Sequence, residues 1–105
     1  MGRKPSRYLL VKLLVEGTVP DSSLSQSVTE SIVNLFGETG LSETAPRLIG
    51  YNEKKSIGIL RCSRDSLEKL RAAIAMISRI DEKSVGVYVK AVSGTSKRLK
   101  SKILA

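Results

Sequence analysis

The feature that most constrains the fold is a nearly unbroken apolar run near the start of the chain, from Tyr8 to Glu16. The run spans nine residues and is followed by Gly17 and Pro20, which interrupt regular structure. Its length suits a central strand better than a helix. We therefore expect a layered fold assembled around this first strand.

Two stripes of apolar residues at helical spacing predict two helices after this strand. The first is expected to begin at the candidate caps in 21–23 and to stop at Gly37, before a connection over 38–46. In the second, Asp65 is expected to pair with Lys69 on the outer face. The two stripes are formed by Leu24, Val28, Ile32, Leu35 and Phe36, and by Leu67, Leu70, Ala73, Ile74 and Ile77.

Further strands are expected at 47–51 and 57–62, on either side of a polar hairpin loop, and at 85–92 after the second helix. The resulting order is strand, helix, strand, strand, helix, strand, and then a basic C-terminal helix. This order predicts an α+β protein, a ferredoxin-like α/β sandwich. Its four-stranded antiparallel sheet would carry both helices on one face.

The chain has 105 residues, which is the size of one domain. We expect a basic N-terminal arm over 1–7, a βαββαβ core over 8–92 and the basic C-terminal helix over 93–105.

Alternation along the strands predicts which side chains the open sheet face presents. In the last strand, Val85, Val87, Val89 and Ala91 are expected to point to the two helices. The opposite face is too apolar to be entirely hydrated, so either the C-terminal helix or another protein chain is expected to cover it. The residues predicted to serve this protein interface are Tyr8, Leu10, Leu14, Tyr88, Leu99 and Ile103.

The positive charge of the chain is concentrated at its two ends. The net charge is +8, and the stretch between the ends balances its ten acidic residues with ten basic ones. A neutral body with cationic ends is typical of a protein that binds a polyanion, above all a nucleic acid. The hydroxyls and backbone N–H groups ahead of the C-terminal helix could hold a phosphate. The predicted RNA-binding residues are Arg3, Lys4, Arg7, Ser93, Thr95, Ser96, Lys97, Arg98, Lys100 and Lys102.

The composition excludes most catalytic chemistry. The chain has no histidine and a single cysteine, Cys62, so the usual acid/base pairs, nucleophile pairs and zinc sites are not available to it. We expect no catalytic residue, no bound metal and no cofactor. No apolar run is long enough to span a membrane and no secretory signal is evident, so we expect a cytoplasmic protein.

Other uses of the basic ends remain open at this point. The third strand lacks the aromatic residues on which RNA-binding sheets of this architecture stack bases, so binding should depend on phosphates and RNA shape. A ferredoxin-like regulatory module that binds a metabolite, with a basic tail for solubility, is one alternative. A ribosome-associated or general RNA-binding protein is another. A membrane-surface or calmodulin-type helix is disfavoured, because its apolar side lacks an aromatic anchor.

The sequence resembles archaeal ribonuclease P protein component 2, a small subunit family shared with the eukaryotic ribonucleases P and MRP. The resemblance covers nearly the whole chain, and its most specific part is the run Ser-Gly-Thr-x-Lys-Arg-Leu-Lys over 93–100. Arg47 departs from the pattern, in which an aromatic residue is expected. The other matching segments are Arg7-Tyr8-Leu9, Pro46 to Tyr51, Ile59 to Arg64, and Leu70 to Ile74 with Ile77-Ser78.

This resemblance implies a noncatalytic subunit of an RNA-based endonuclease that removes the 5′ leader from precursor tRNA. The catalytic ribonuclease P RNA and its Mg²⁺ ions would perform the chemistry, and precursor tRNA would be met indirectly. A barrel-shaped protein subunit is the implied partner, in a heterotetramer with two copies of this chain.

Overall fold

In the computed structural model, residues 5–104 are described, and they form five strands and three α-helices. The α+β class expected from the sequence is confirmed. The predicted core over 8–92 is slightly longer in the structure, since its first strand begins at Ser6 and its last strand ends at Ser93. The elements are β1 (Ser6–Val15), α1 (Asp21–Thr44), β2 (Arg47–Asn52), β3 (Ile57–Ser63), a 3₁₀ helix (Arg64–Ser66), α2 (Leu67–Ala75), β4 (Arg79–Ile80), β5 (Lys83–Ser93) and α3 (Lys97–Leu104).

The sheet is antiparallel throughout, with the strand order β2-β3-β1-β5-β4. The apolar run at the start of the chain is therefore its central strand, as predicted. The sheet has five strands and not the predicted four, because Arg79 and Ile80 pair with β5. The turn between them places Asp81 and Glu82 at positive φ, 52° and 67°. Such turns usually carry Asn-Gly or Asp-Gly, so the sequence gives little sign of this hairpin.

The main core lies between the sheet and the helices α1 and α2. Leu9, Val11 and Leu13 of β1 point into it and are at most 1 % exposed. The hydroxyl of Ser31 in α1 donates a hydrogen bond of 2.7 Å to the carbonyl of Ala73 in α2. This buried bond fixes the two helices against each other, since a buried hydroxyl without a partner would destabilise the fold. The helices contribute Leu24, Val28 and Ile32, and Leu70, Ala73 and Ile74, to the core.

A bulge in β5 changes which face its last residues present. Val11 pairs with Val89, but Leu10 pairs with Ala91, so Lys90 is an extra residue. Ala91 consequently faces the opposite side of the sheet from Val89 and packs in a second cluster with Leu10. The expectation that Ala91 would point to α1 and α2 was wrong, because strict alternation does not anticipate a bulge.

The first helix continues past its predicted end. Gly37 has φ 73° and ψ −174°, so the helical path breaks there and resumes to Thr44. The segment 38–44 is helical, and the predicted connection over 38–46 was wrong. The second half of α1 is retained by packing, since Leu41 contacts the core and Thr44 is buried.

The outer face of α2 also differs from the prediction. Lys69 does not pair with Asp65, and its Nζ lies 2.7 Å from the carboxylate of Glu43 in α1. Asp65 lies in the 3₁₀ helix ahead of α2, where it pairs with Arg64 at 3.7 Å. The 3₁₀ start changes the spacing, and the expected pair at one helical turn therefore does not form. No helix in 5–104 is long and apolar enough to cross a membrane.

Candidate nucleic-acid interface

The helix α3 lies on the sheet face opposite α1 and α2. Leu99 and Ile103, one helical turn apart, are 3 % and 7 % exposed and pack against Leu10 and Ile59. Burial of two such side chains contributes about 1.5–3 kcal/mol each. That contribution matters because a helix of eight residues is unstable by itself in water. The sequence left open whether this helix or another chain covers the sheet, and the structure shows α3 in this position.

The docking of α3 turns its basic residues outward. The four cations occupy the positions around the buried stripe, and all four are exposed. Two ion pairs occur among residues 5–104, Arg64–Asp65 and Lys69–Glu43, and neither involves α3. The helix therefore presents unneutralised positive charge to an external partner. These cations are Lys97, Arg98, Lys100 and Lys102.

The loop ahead of α3 brings a basic residue of β1 to the start of this helix. The carbonyl of Ser96 accepts the N–H groups of Leu99 and Lys100, each at 3.0 Å, so α3 begins directly after Ser96. Arg7 lies next to this loop, since a Cβ added at Gly94 would be 3.7 Å from its Nη1. Arg7 thus extends the positive charge ahead of α3 towards the start of β1.

The predicted phosphate-binding hydroxyls have partly local roles. The Oγ of Ser93 accepts the N–H of Thr95 at 3.1 Å, which closes the loop on itself. Thr95 is exposed and Ser96 is half-buried. Arg3 and Lys4, the other two predicted contacts, lie outside the described residues.

The residues predicted for a protein interface divide into two groups. Leu10, Leu99 and Ile103 are buried against one another, and Tyr8 packs on the same cluster. These four therefore stabilise the docking of α3 within the chain. Leu14 and Tyr88 remain on the surface, 57 % and 50 % exposed.

Leu14 and Tyr88 form a small apolar surface on the sheet face that carries α3. Leu14 pairs directly with Gly86 across β1 and β5. The ring of Tyr88 covers Gly86, because a Cβ added there would lie 2.7 Å from its Cε2. This surface is the part of the sheet that α3 leaves uncovered, and it is suited to contact with another protein.

Sequence reasoning missed two arginines at the end of the sheet. Arg47 of β2 and Arg61 of β3 pair directly across the two strands. They line a cleft of about 600 Å³ between the end of the sheet and the loop after α1. Their residue types were visible in the sequence, but their pairing depends on the strand register. A bulge at Ile49 sets that register, since Leu48 pairs with Leu60 and Gly50 with Ile59.

Two further features bear on the chemistry expected from the sequence, namely metal-binding clusters and the single cysteine. No set of three or more His, Cys, Asp or Glu side chains within 5–104 is placed to hold a metal ion. Cys62 is buried, and burial raises the pKa of its thiol, with a smaller opposing effect from the charge of Arg7. A thiol with a raised pKa is a poor nucleophile, because the thiolate is the reactive form.

The fold and the surface together define a small α+β protein with one strongly basic face. The chain belongs to the Rpp14/Pop5 family, whose model matches residues 7–104. It is 33 % identical over 103 residues to ribonuclease P protein component 2 of Pyrococcus horikoshii, covering 98 % of this chain and 86 % of that protein. It is 34 % identical over 102 residues to the protein of the same name in Methanosarcina barkeri, covering 97 % and 74 %.

The fold also matches a chain in the cryo-EM structure of yeast ribonuclease MRP. The TM-score is 0.72, and the match covers 99 % of this chain and 91 % of that one. The sequence identity is 10 %, so this comparison bears on the fold alone.

Proposed function

We propose that this chain is a noncatalytic protein subunit of ribonuclease P, the RNA-based endonuclease that removes the 5′ leader from precursor tRNA. The observation that carries the proposal is the set of four exposed cations on the docked helix α3, none of which forms an ion pair within residues 5–104. These cations lie in a chain that matches ribonuclease P protein component 2 of Pyrococcus horikoshii over 98 % of its length. The chain would act in the cytoplasm as part of a ribonucleoprotein.

The basic face would bind and support the ribonuclease P RNA through its phosphates. Lysine and arginine side chains that neutralise phosphates release the counterions of the RNA, and binding weakens steeply with salt. About six contacts would give a slope of roughly −4 to −5 when log K is plotted against log salt. Because α3 is held to the sheet by buried leucine and isoleucine, its cations would meet the RNA without a prior folding step. The contacts would come from Lys97, Arg98, Lys100 and Lys102, with Arg7 and the loop hydroxyls of Ser93, Thr95 and Ser96, and with Arg3 and Lys4.

The chemistry of cleavage would belong to the RNA and its Mg²⁺ ions. This chain would bind no cofactor of its own, and precursor tRNA would be contacted indirectly. The role of the protein would be electrostatic, since reducing repulsion between RNA phosphates favours the compact active form of the RNA.

A second protein subunit, barrel-shaped in the family that the sequence resembles, would bind a different surface. The exposed apolar surface of Leu14 and Tyr88 is the best candidate, because it lies on the same sheet face as α3 and carries no charge of its own. Two copies of the chain would then take part in a heterotetramer.

Recovery of the bound RNA from cells tests this function. The tagged chain is purified from its source organism, and the RNA that accompanies it is sequenced. One abundant structured RNA that cleaves precursor tRNA supports the proposal. Ribosomal RNA or an unselective mixture contradicts it and supports a general RNA-binding role. A metabolite that raises the melting temperature of the isolated chain, with no RNA recovered, would instead indicate a regulatory module.

A further inference from the structure

The pair Arg47 and Arg61 is an unusual arrangement for a folded sheet. Their Cα atoms are direct partners across β2 and β3, so the two side chains leave the same face side by side. Like charges in this position destabilise an antiparallel pair. Arg47 is exposed and Arg61 is half-buried. This pair of like charges therefore lowers the stability of the fold relative to a pair of neutral residues at the same positions.

No counter-charge for this pair is found within residues 5–104. The ion pairs there involve Arg64 and Lys69, and neither Arg47 nor Arg61 has a carboxylate within 4.0 Å. Glu43 also lines the cleft, but its carboxylate lies 2.7 Å from the Nζ of Lys69. The carboxylate of Glu43 therefore pairs with Lys69, whereas Arg47 and Arg61 form no ion pair within residues 5–104.

The side chain of Arg61 is held in place by a hydrogen bond. Its Nε donates to the Oγ of Ser6 at 3.0 Å, which fixes one edge of the guanidinium group. The two terminal nitrogens have no hydrogen-bond partner among residues 5–104. A guanidinium group fixed in this way can offer its remaining N–H groups to phosphate oxygens as a fork. Ser42 and Ser63 also line the cleft, and a serine hydroxyl is a neutral hydrogen-bond donor.

The arginine pair is continuous with the basic face of α3. A single row of paired residues crosses the sheet from Arg47 to Arg61, then to Tyr8 and finally to Ser93. Ser93 opens the loop that leads into α3. Three strand spacings separate the ends of this row, roughly 14 Å. A nucleic-acid backbone that leaves the start of α3 can therefore reach the cleft without leaving the protein surface.

We propose that the cleft at Arg47 and Arg61 is a second phosphate-binding site, which takes the backbone of the same RNA strand or helix that α3 contacts. The proposal rests on the function proposed above. It adds a phosphate-binding site formed by residues from the middle of the sequence, where acidic and basic residues are equal in number. An RNA phosphate is favoured over an acidic peptide, because the row of paired residues ends at the basic face and because a fork of N–H donors matches phosphate oxygens.

The test measures how the affinity of the full chain for its cognate ribonuclease P RNA depends on salt. Arg47→Gln removes one cation from an exposed side chain and breaks no hydrogen bond described in 5–104. The slope of log K against log salt should become shallower by about 0.7–0.9. Arg47→Gln with Arg61→Gln should make it shallower by about twice that amount. Arg47→Lys keeps the charge and should restore the slope.

A matched control removes one arginine elsewhere. Arg71 is exposed on α2, on the other side of the sheet from α3, so Arg71→Gln should leave the slope unchanged. The melting temperature of Arg47→Gln without RNA should be equal to or above that of the unmodified chain, since a repulsive pair is relieved. A structural role for Arg47 predicts a lower melting temperature instead.

The outcomes separate this inference from the proposed function. One outcome is a salt dependence that is steep in the unmodified chain and equally steep in Arg47→Gln. That result overturns the second site and leaves the proposed RNA-binding role in place. An equal change in Arg47→Gln and Arg71→Gln also overturns it, because the effect would then be one of net charge. An unmodified chain that does not bind the RNA overturns both proposals.

Discussion

The side-chain amide of Asn52 donates a hydrogen bond of 3.1 Å to the backbone carbonyl of Ile103. This contact joins the end of β2 to the last turn of α3, where carbonyl groups lack partners within the helix. The Oδ1 of the same side chain accepts the N–H of Lys55 at 3.1 Å, within the β2–β3 turn. One residue therefore stabilises both the hairpin turn and the position of the basic helix.

Asn52→Ala should loosen α3 more than the rest of the fold. Each lost hydrogen bond is expected to cost about 0.5–1.5 kcal/mol. Hydrogen exchange should accelerate at the amides of α3 while those of β1 keep their protection. Asn34→Ala on α1 is the control, since Asn34 is exposed and its side chain makes no hydrogen bond to another element within residues 5–104. Equal protection of α3 in both variants would contradict the role of Asn52.

Gly37→Ala should destabilise the protein through the backbone alone. Gly37 has φ 73° and ψ −174°, a region nearly restricted to glycine, and no atom lies within 4 Å of a Cβ built there. The expected loss is about 1–3 kcal/mol in the free energy of unfolding, measured by urea denaturation. Gly94→Ala is the control, because its Cβ would make only an ordinary contact of 3.7 Å with Arg7. If Gly37→Ala lowers the free energy of unfolding no more than Gly94→Ala does, alanine adopts the backbone conformation at the kink without strain.

Tyr51 should make the stability of the protein depend on alkaline pH. Its hydroxyl donates to the carbonyl of Val19 at 2.6 Å. Burial raises the pKa of Tyr51 above its usual value of 10.0, with smaller contributions from the charges of Glu53 and Asp21. Because the folded-state pKa is raised, the stabilisation is fully present below the unfolded pKa and is lost as the pH rises through the folded one.

Tyr51→Phe tests this dependence by urea denaturation at neutral pH and at pH above 10.0. The variant should be less stable by about 0.5–1.5 kcal/mol at neutral pH. The difference should shrink at alkaline pH, because only the unmodified chain loses the contribution of Tyr51 there. Tyr88→Phe, at a half-exposed site on the sheet, is the control and should lose less stability than Tyr51→Phe at neutral pH. A difference that stays constant with pH would contradict the account.

The exposed cations of α3 should set much of the salt dependence of RNA binding. Lys100→Gln with Lys102→Gln should make the slope of log K against log salt shallower by about 1.4–1.8. Arg71→Gln removes a charge from the exposed surface of α2, on the other side of the sheet, and should leave the slope unchanged. The measurement is titration of the cognate RNA at several salt concentrations. Equal slopes in the two variants would show that α3 does not contact phosphates.

Much of the fold could be predicted from local patterns. The central strand has a nearly unbroken apolar run, and the two core helices and the basic helix each have a periodic apolar stripe that determines which face of the helix is buried. The end of α1 could not be predicted, because glycine after an apolar stripe usually marks a helix end. Its continuation to Thr44 depends on packing of Leu41 against distant residues. The bulge at Lys90 likewise leaves no signal in the sequence.

The candidate site was predictable only in part, for a similar reason. The unpaired charge of α3 follows from residues close in sequence, and the apolar stripe of Leu99 and Ile103 indicated that the helix would be covered on one side. The pairing of Arg47 with Arg61 depends on strand register across 14 residues of chain, which composition does not reveal. Charge counted along the sequence therefore pointed to the cations of α3 and gave no sign of the arginine pair in the cleft.

The most direct test of the central claim is reconstituted cleavage of precursor tRNA. The cognate RNA, its partner subunits and Mg²⁺ are combined with and without this chain, and the rate of 5′ leader removal is measured. We expect faster cleavage with the chain at moderate salt, and a smaller gain in rate with the variant that carries both Lys100→Gln and Lys102→Gln. Equal cleavage rates with and without the chain, under conditions where the other subunits are active, would contradict the account.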